Sequence, residues 1–114
     1  PGASALKGCT ILVDVTSADN ENLHDHFAGM LTGMGARITR TVGTRCTHIV
    51  FKNGSHTTVK LYRFVLAMKD STPLVVGIDW VAQCTEKQNR VEETPYLVDL
   101  SEVNISAPKS VRLI

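Results

Sequence analysis

Hydrophobic and polar positions alternate between two rhythms along the chain. Cys9-Thr10-Ile11-Leu12-Val13-Asp14-Val15 is β-branched and mostly apolar, and Thr16-Ser17 ends it, so it reads as a strand. Leu23, Phe27, Met30, Leu31 and Met34 then recur at helical spacing, with Ser17 or Asp19 as possible caps and Gly33 and Gly35 as the stop. Ala36 to Thr41 alternates weakly, as an edge strand does, whereas Thr47-His48-Ile49-Val50-Phe51 is apolar enough for a central one. A second helical stripe of Leu61, Phe64, Val65 and Met68 runs from Thr57 or Thr58 to Lys69 and stops at Asp70-Ser71-Thr72-Pro73. Leu74-Val75-Val76 is a buried-type strand, and Ile78, Trp80, Val81 and Cys84 mark a third helix. Pro95 to Leu100 is an extended apolar patch. The order is β-α-β-β-α-β-α. Helical crossovers require parallel pairing where they occur, so the pattern predicts an α/β fold with a four-stranded, mostly parallel sheet and helices on both faces.

One domain fits 114 residues. Residues 1–5 read as a leader or tag scar, 6–100 as the domain, and 101–114 as a carboxyl-terminal extension or linker. Val98, Leu100, Val103, Ile105, Val111, Leu113 and Ile114 make that end apolar. It either packs along its own domain or contacts a neighbour, which leaves a homodimer open. The hydrophobic share is 43% and the mean hydropathy +0.02, which suits a folded core and excludes a wholly disordered chain. No apolar run approaches a membrane span, so no membrane partner is expected. Three widely spaced cysteines, Cys9, Cys46 and Cys84, form no disulfide framework, and a reducing compartment fits them best.

Twelve basic and eleven acidic residues give a net charge of +1, too little by itself to demand nucleic acid. Lys7, Arg37, Arg40 and Arg45 add positive charge near strand starts and turns, but without interleaved aromatics; Phe27, Phe51, Phe64, Tyr62, Tyr96 and Trp80 mostly fall at core-type positions. Direct DNA binding is therefore the weaker alternative. Gly33-Met34-Gly35-Ala36 leads into a strand, where a nucleotide loop must open a helix. His24, His26, His48 and His56 fit no zinc spacing with the cysteines and read as surface or partly buried histidines. Glu21 and Asp25 read as a solvated pair, and Asp79 as a helix cap. No enzyme, cofactor or metal chemistry is expected. Lys60, in the first turn of the second helix after Ser55-His56-Thr57-Thr58, could serve a phosphate together with free N–H groups; the alternative is a solvated lysine.

From Leu6 to about Leu100 the chain resembles a BRCT domain. Leu6-Lys7-Gly8-Cys9-Thr10-Ile11-Leu12-Val13 resembles the family's opening strand, and Met34-Gly35-Ala36-Arg37-Ile38 its helix-end glycine and second strand. Thr47-His48-Ile49-Val50 resembles its Thr-His strand, and Val75-Val76-Gly77-Ile78-Asp79-Trp80-Val81 its last strand and tryptophan helix. Thr47 to Gly54 and Pro95 to Asp99 resemble in particular the amino-terminal BRCT domain of microcephalin-type proteins.

The resemblance implies a four-stranded parallel sheet flanked by three helices, the first and third on one side and the second on the other. It implies a core role for Trp80, wedged against the second helix and the sheet, and a tight turn at Gly35. It also implies a nuclear role in DNA damage response, DNA repair, cell-cycle checkpoints or chromosome condensation, through a protein partner or a neighbouring BRCT domain. Phosphopeptide-binding relatives use a hydroxyl and a glycine at the end of the first strand plus a second-helix lysine. Here those positions are Asp14, Val15 and Lys60, so one element of three is kept. An ionised Asp14 offers no donor and repels phosphate; it could instead pair with Lys60 or cap the helix that begins near Ser17. Phosphopeptide reading is the alternative function, with Thr16 or Ser17 supplying the hydroxyl.

Overall fold

The computed structural model describes residues 4–42, 45–68 and 72–100. Along the chain run β1 (Thr10–Val15), α1 (His24–Gly33), β2 (Arg37–Thr39), β3 (His48–Lys52), α2 (His56–Met68), β4 (Leu74–Val76) and α3 (Ile78–Lys87), then a 3-10 turn at Thr94–Tyr96. The sheet order is β2-β1-β3-β4, and every pairing is parallel. β3 is central and short β2 lies at an edge, as their apolarity predicts.

Strand alternation divides the interior into two cores. Ile11, Val13 and Val15 of β1 join Leu31 and Met34 of α1 and Trp80, Val81 and Cys84 of α3. Leu12, Ile49 and Val75 join Val59 of α2, with Leu61, Tyr62 and Val65 packed against them. The first and third helices therefore share one face of the sheet and α2 covers the other. Trp80 consequently packs on the α1 side, not against α2 as the family resemblance implied.

Local chemistry sets the boundaries. α1 ends in a Schellman motif: Ala36 N–H donates to Leu31 O at 3.1 Å and Gly35 N–H to Thr32 O at 3.0 Å. Gly35 sits at φ +96°, where a side chain would be strained. The start of α1 differs from expectation. Ser17 Oγ accepts the N–H groups of Asp19 and Glu21 and so shapes the preceding loop, while Asn22 Oδ1 accepts the His24 N–H at 2.8 Å. Neither Ser17 nor Asp19 caps the helix. Asp79 makes no capping hydrogen bond either; it lies exposed in the first turn of α3, where its charge meets the helix dipole.

α2 begins at His56, one or two residues earlier than the sequence placed it, so Lys60 is the fifth helical residue and lies just past the first turn. Its buried face is set by Thr58 and Val59. Phe64, about 140° round the helix from Val59 at 100° per residue, is 65% exposed and is not a core residue. The 95–100 patch runs back beside β4. Val98 N–H donates to Val75 O at 2.8 Å, Leu97 bridges Val76, and Leu100 is fully buried. The near part of the apolar carboxyl end thus packs along its own domain. Val103, Ile105, Val111, Leu113 and Ile114 lie outside the described residues. Among the described residues no helix is long and apolar enough to cross a membrane.

Candidate functional site

The carboxyl ends of the parallel strands and the start of α2 form the corner that the sequence singled out. Asp14 alternates out of the β1 core toward α2. Its Oδ2 accepts the Ser55 backbone N–H at 2.9 Å and the Ser55 hydroxyl at 3.2 Å. Ser55 Oγ in turn accepts the Thr58 N–H at 3.4 Å, capping α2. A carboxylate therefore already stands where a helix N-terminus would attract an anion. Gly54 permits this approach, because a Cβ there would lie 2.6 Å from both Asp14 Cγ and Oδ2 and 2.6 Å from Phe51 Cε2. Gly54→Ala is expected to push Asp14 off Ser55 and to cost about 1–3 kcal/mol by overpacking. Urea unfolding measures this, and an unchanged midpoint would contradict the contact.

The other residues of the corner do different things. The Val15 side chain is buried in the α1–α3 core, on the face opposite Asp14, so it does not line the corner. Thr16 N–H donates to Lys52 O at 2.9 Å, and Thr16 O accepts from the Asn53 side chain at 3.2 Å. The Ser17 hydroxyl serves its own loop. Lys60 is exposed, and among the described residues it forms no ion pair with Asp14. Asp14 is held by Ser55, not by Lys60 and not at α1. Ser55 and Gly54 were missed in the sequence. Their signal was a glycine–serine pair directly before an apolar helical stripe.

A second polar cluster was also missed. His48 is 1% exposed, buried more completely than the surface or partly buried histidine that the sequence suggested. Its ring stacks on Trp80 with centroids 4.8 Å apart and planes 16° apart. Nε2 lies 2.8 Å from Glu93 Oε2, and Nδ1 lies 2.9 Å from Thr47 Oγ1. Arg90 Nη2 pairs with the same carboxylate oxygen at 2.8 Å. Burial drives the His48 pKa down, against the pull of Glu93. Burial alone would raise the Glu93 pKa, but hydrogen bonds from His48 and Arg90 hold it below the usual range. A neutral ring beside an ionised Glu93 carries its hydrogen on Nε2 and leaves Nδ1 facing the Thr47 hydroxyl, whose single hydrogen has Thr10 O, at 3.0 Å, as its other acceptor. This cluster ties the 90–93 segment to β3.

Neither cluster has the makings of a nucleophilic centre. Cys9, Cys46 and Cys84 are buried free thiols, and burial pushes all three pKa values up. Among the described residues no group of three His, Cys, Asp or Glu could hold a metal. The geometry shows an α/β scaffold in which the Asp14 carboxylate accepts both Ser55 donors beside the start of α2.

Residues 2–89 match the BRCA1 C Terminus (BRCT) domain family. The chain belongs to that family, a class of non-enzymatic protein-interaction modules typical of DNA-damage and checkpoint proteins. Microcephalin of Mus musculus is 32% identical over 94 residues, covering 82% of this chain and 11% of that protein. The chain thus spans about a tenth of the length of the curated relatives it matches. The C-terminal BRCT domain of human XRCC1 superposes with a TM-score of 0.63 at 13% identity, over 87% of this chain and 97% of that one. Rad4 BRCT1,2 in complex with a Mdb1 phosphopeptide superposes with a TM-score of 0.60 at 16% identity, over 84% and 48%. At these identities the solved structures speak for the fold alone.

Proposed function

We propose that the chain is the amino-terminal BRCT domain of a microcephalin-type protein. In this reading it works in the nucleus, in the DNA-damage, checkpoint or chromosome-maintenance machinery. It engages a protein partner or a neighbouring BRCT domain, and does not read phosphopeptides at the Asp14 corner. The observation that carries the last point is the Asp14 carboxylate accepting both donors of Ser55. A phosphate carries about −1.5 to −2 charges near neutral pH and would meet that carboxylate head-on.

The microcephalin relatives support the assignment, and the BRCT family to which the chain belongs supports the setting. Rad4 BRCT1,2 is solved with Mdb1 and Crb2 phosphopeptides, but the alternative here would need a hydroxyl from Thr16 or Ser17, and the Ser17 oxygen is held in its own loop by the two N–H groups it accepts, with only its O–H left to donate. DNA binding gains little, because Arg37 starts β2, Arg40 follows its end, and Lys60 and Arg63 ride on α2.

The test is to open the corner. Asp14→Thr removes the repulsion and restores a hydroxyl, without the cavity that Val15→Gly would cut in the α1–α3 core. This variant should gain phosphate-dependent binding to phosphoserine peptides, and adding Lys60→Ala should remove the gain. If Asp14→Thr binds no better than wild type, the carboxylate is not what closes the corner.

A further inference from the structure

The opposite edge of the sheet, where the strands begin, holds a cleft of about 550 Å³ lined by Lys7, Gly8, Cys9, Thr10, Gly35 and Arg37. We propose that this cleft binds an acidic segment of a partner protein, with Lys7 and Arg37 holding its carboxylate or phosphate groups. The proposal rests on the reading above, in which recognition does not run through the Asp14 corner, and it names a surface and a ligand chemistry for it.

The cleft is built by the backbone. Thr10 and Arg37 are register partners across β1 and β2. Arg37 N–H donates to Cys9 O at 2.9 Å, and Leu6 N–H donates to Met34 O at 2.8 Å. These bonds clamp the Leu6–Cys9 turn against the end of α1, so the two cations project from rigid neighbouring segments. Gly8 and Gly35 contribute no side chains, which leaves the space between them open. The lining contains two cations and no carboxylate.

Around the cleft, Arg90 and Glu93 both act on Cys9 with opposite signs, as an ion pair. Arg45 is exposed two residues before Thr47, whose N–H donates to Thr10 O, so it stands at the same edge. His48 engages the same Glu93. Glu92 accepts from Thr94. Among the described residues no carboxylate is paired with Lys7 or Arg37. An Arg guanidinium presents a planar fork that matches a carboxylate or phosphate with two parallel bonds, and the lysine adds a mobile point charge. A concave opening with two cations suits one or two acidic side chains of a peptide. A duplex backbone needs a row of cations along its track, and Arg40, Lys60 and Arg63 lie elsewhere.

The test is a titration of the isotopically labelled chain with an octaglutamate peptide, a phosphoserine-rich peptide, an octaglutamine control and a short DNA duplex, followed by backbone amide shifts. The acidic peptides should move Lys7–Thr10 and Gly35–Arg37, glutamine should not, and added salt should weaken the effect. Arg37→Glu and Lys7→Ala should each weaken binding at least about tenfold, as for loss of a charged hydrogen bond. Both residues are exposed, so an unchanged unfolding midpoint confirms that the variants fold. No shift at the cleft, an equal shift with glutamine, or tighter duplex binding through the same residues overturns the proposal. Phosphoserine-dependent shifts at Ser55–Lys60 would instead overturn the closed corner, and the response at Lys7 and Arg37 would still decide the cleft.

Discussion

Trp80→Ala is expected to remove about 3–5 kcal/mol of folding stability, a large fraction of the roughly 5–15 kcal/mol that holds an ordinary domain folded. The indole is fully buried between β1, α1 and α3, so truncation leaves a cavity with little around it free to collapse. It also strips the stacking partner from His48 and the donor from Val91 O, which Trp80 Nε1 reaches at 3.0 Å. Trp80→Phe separates these contributions. It keeps an aromatic ring over His48 but leaves Val91 O without its bond, for about 1 kcal/mol beyond any repacking cost. Urea unfolding of the two variants, followed by far-ultraviolet circular dichroism, gives both numbers. A loss below about 1 kcal/mol for Trp80→Ala would place the ring outside a packed core.

Mild acid is expected to destabilise the fold through His48. Its folded pKa is depressed from 6.5 by burial, so the unfolded chain binds a proton more readily than the folded one. The stability that His48 contributes is fully present above pH 6.5 and is lost as pH falls through and below that value. Glu93, also depressed, adds a second loss below about pH 4.5, where its bonds to His48 and Arg90 are protonated away. Both effects have the same sign. Glu93→Ala at pH 7 should cost about 1–3 kcal/mol, because it leaves the buried Nε2–H without an acceptor. The measurement is the urea midpoint between pH 7.5 and 5 for wild type, His48→Gln and Glu93→Ala. Wild type should weaken across that range and His48→Gln should not. A flat wild-type profile would mean that His48 does not titrate as a buried neutral ring.

The parts of the fold legible in the sequence were those governed by local periodicity. Leu31 and Met34 on α1, the continuous apolarity of Ile49–Val50, and the glycine after α1 each report on their own element, and each is found in its expected place. What was not legible depends on contacts across the chain. Phe64 has helical spacing with Leu61 and Met68, yet only the position of the sheet decides which side of α2 is buried. Trp80 was identifiable as core, but the side it faces is set by packing with α1. His48 meets Glu93 across 45 positions, which no local pattern encodes. In the corner, Asp14 was readable as the residue in place of a hydroxyl. Its partner was not, because Ser55 lies 41 positions away and is reached only once β1 and β3 are paired.

The central claim is that Asp14 closes the anion corner, and titration of the wild-type chain with matched phosphorylated and unphosphorylated serine peptides tests it most directly. The Ser55 amide reports the occupant, because its N–H now points at Asp14 Oδ2. The account predicts no phosphate-dependent shift of the Ser55, Thr58 or Lys60 amides below roughly millimolar peptide, the range in which binding supplies only about 4 kcal/mol. Phosphate-dependent binding at micromolar concentration that moves Ser55 and vanishes in Lys60→Ala would contradict it.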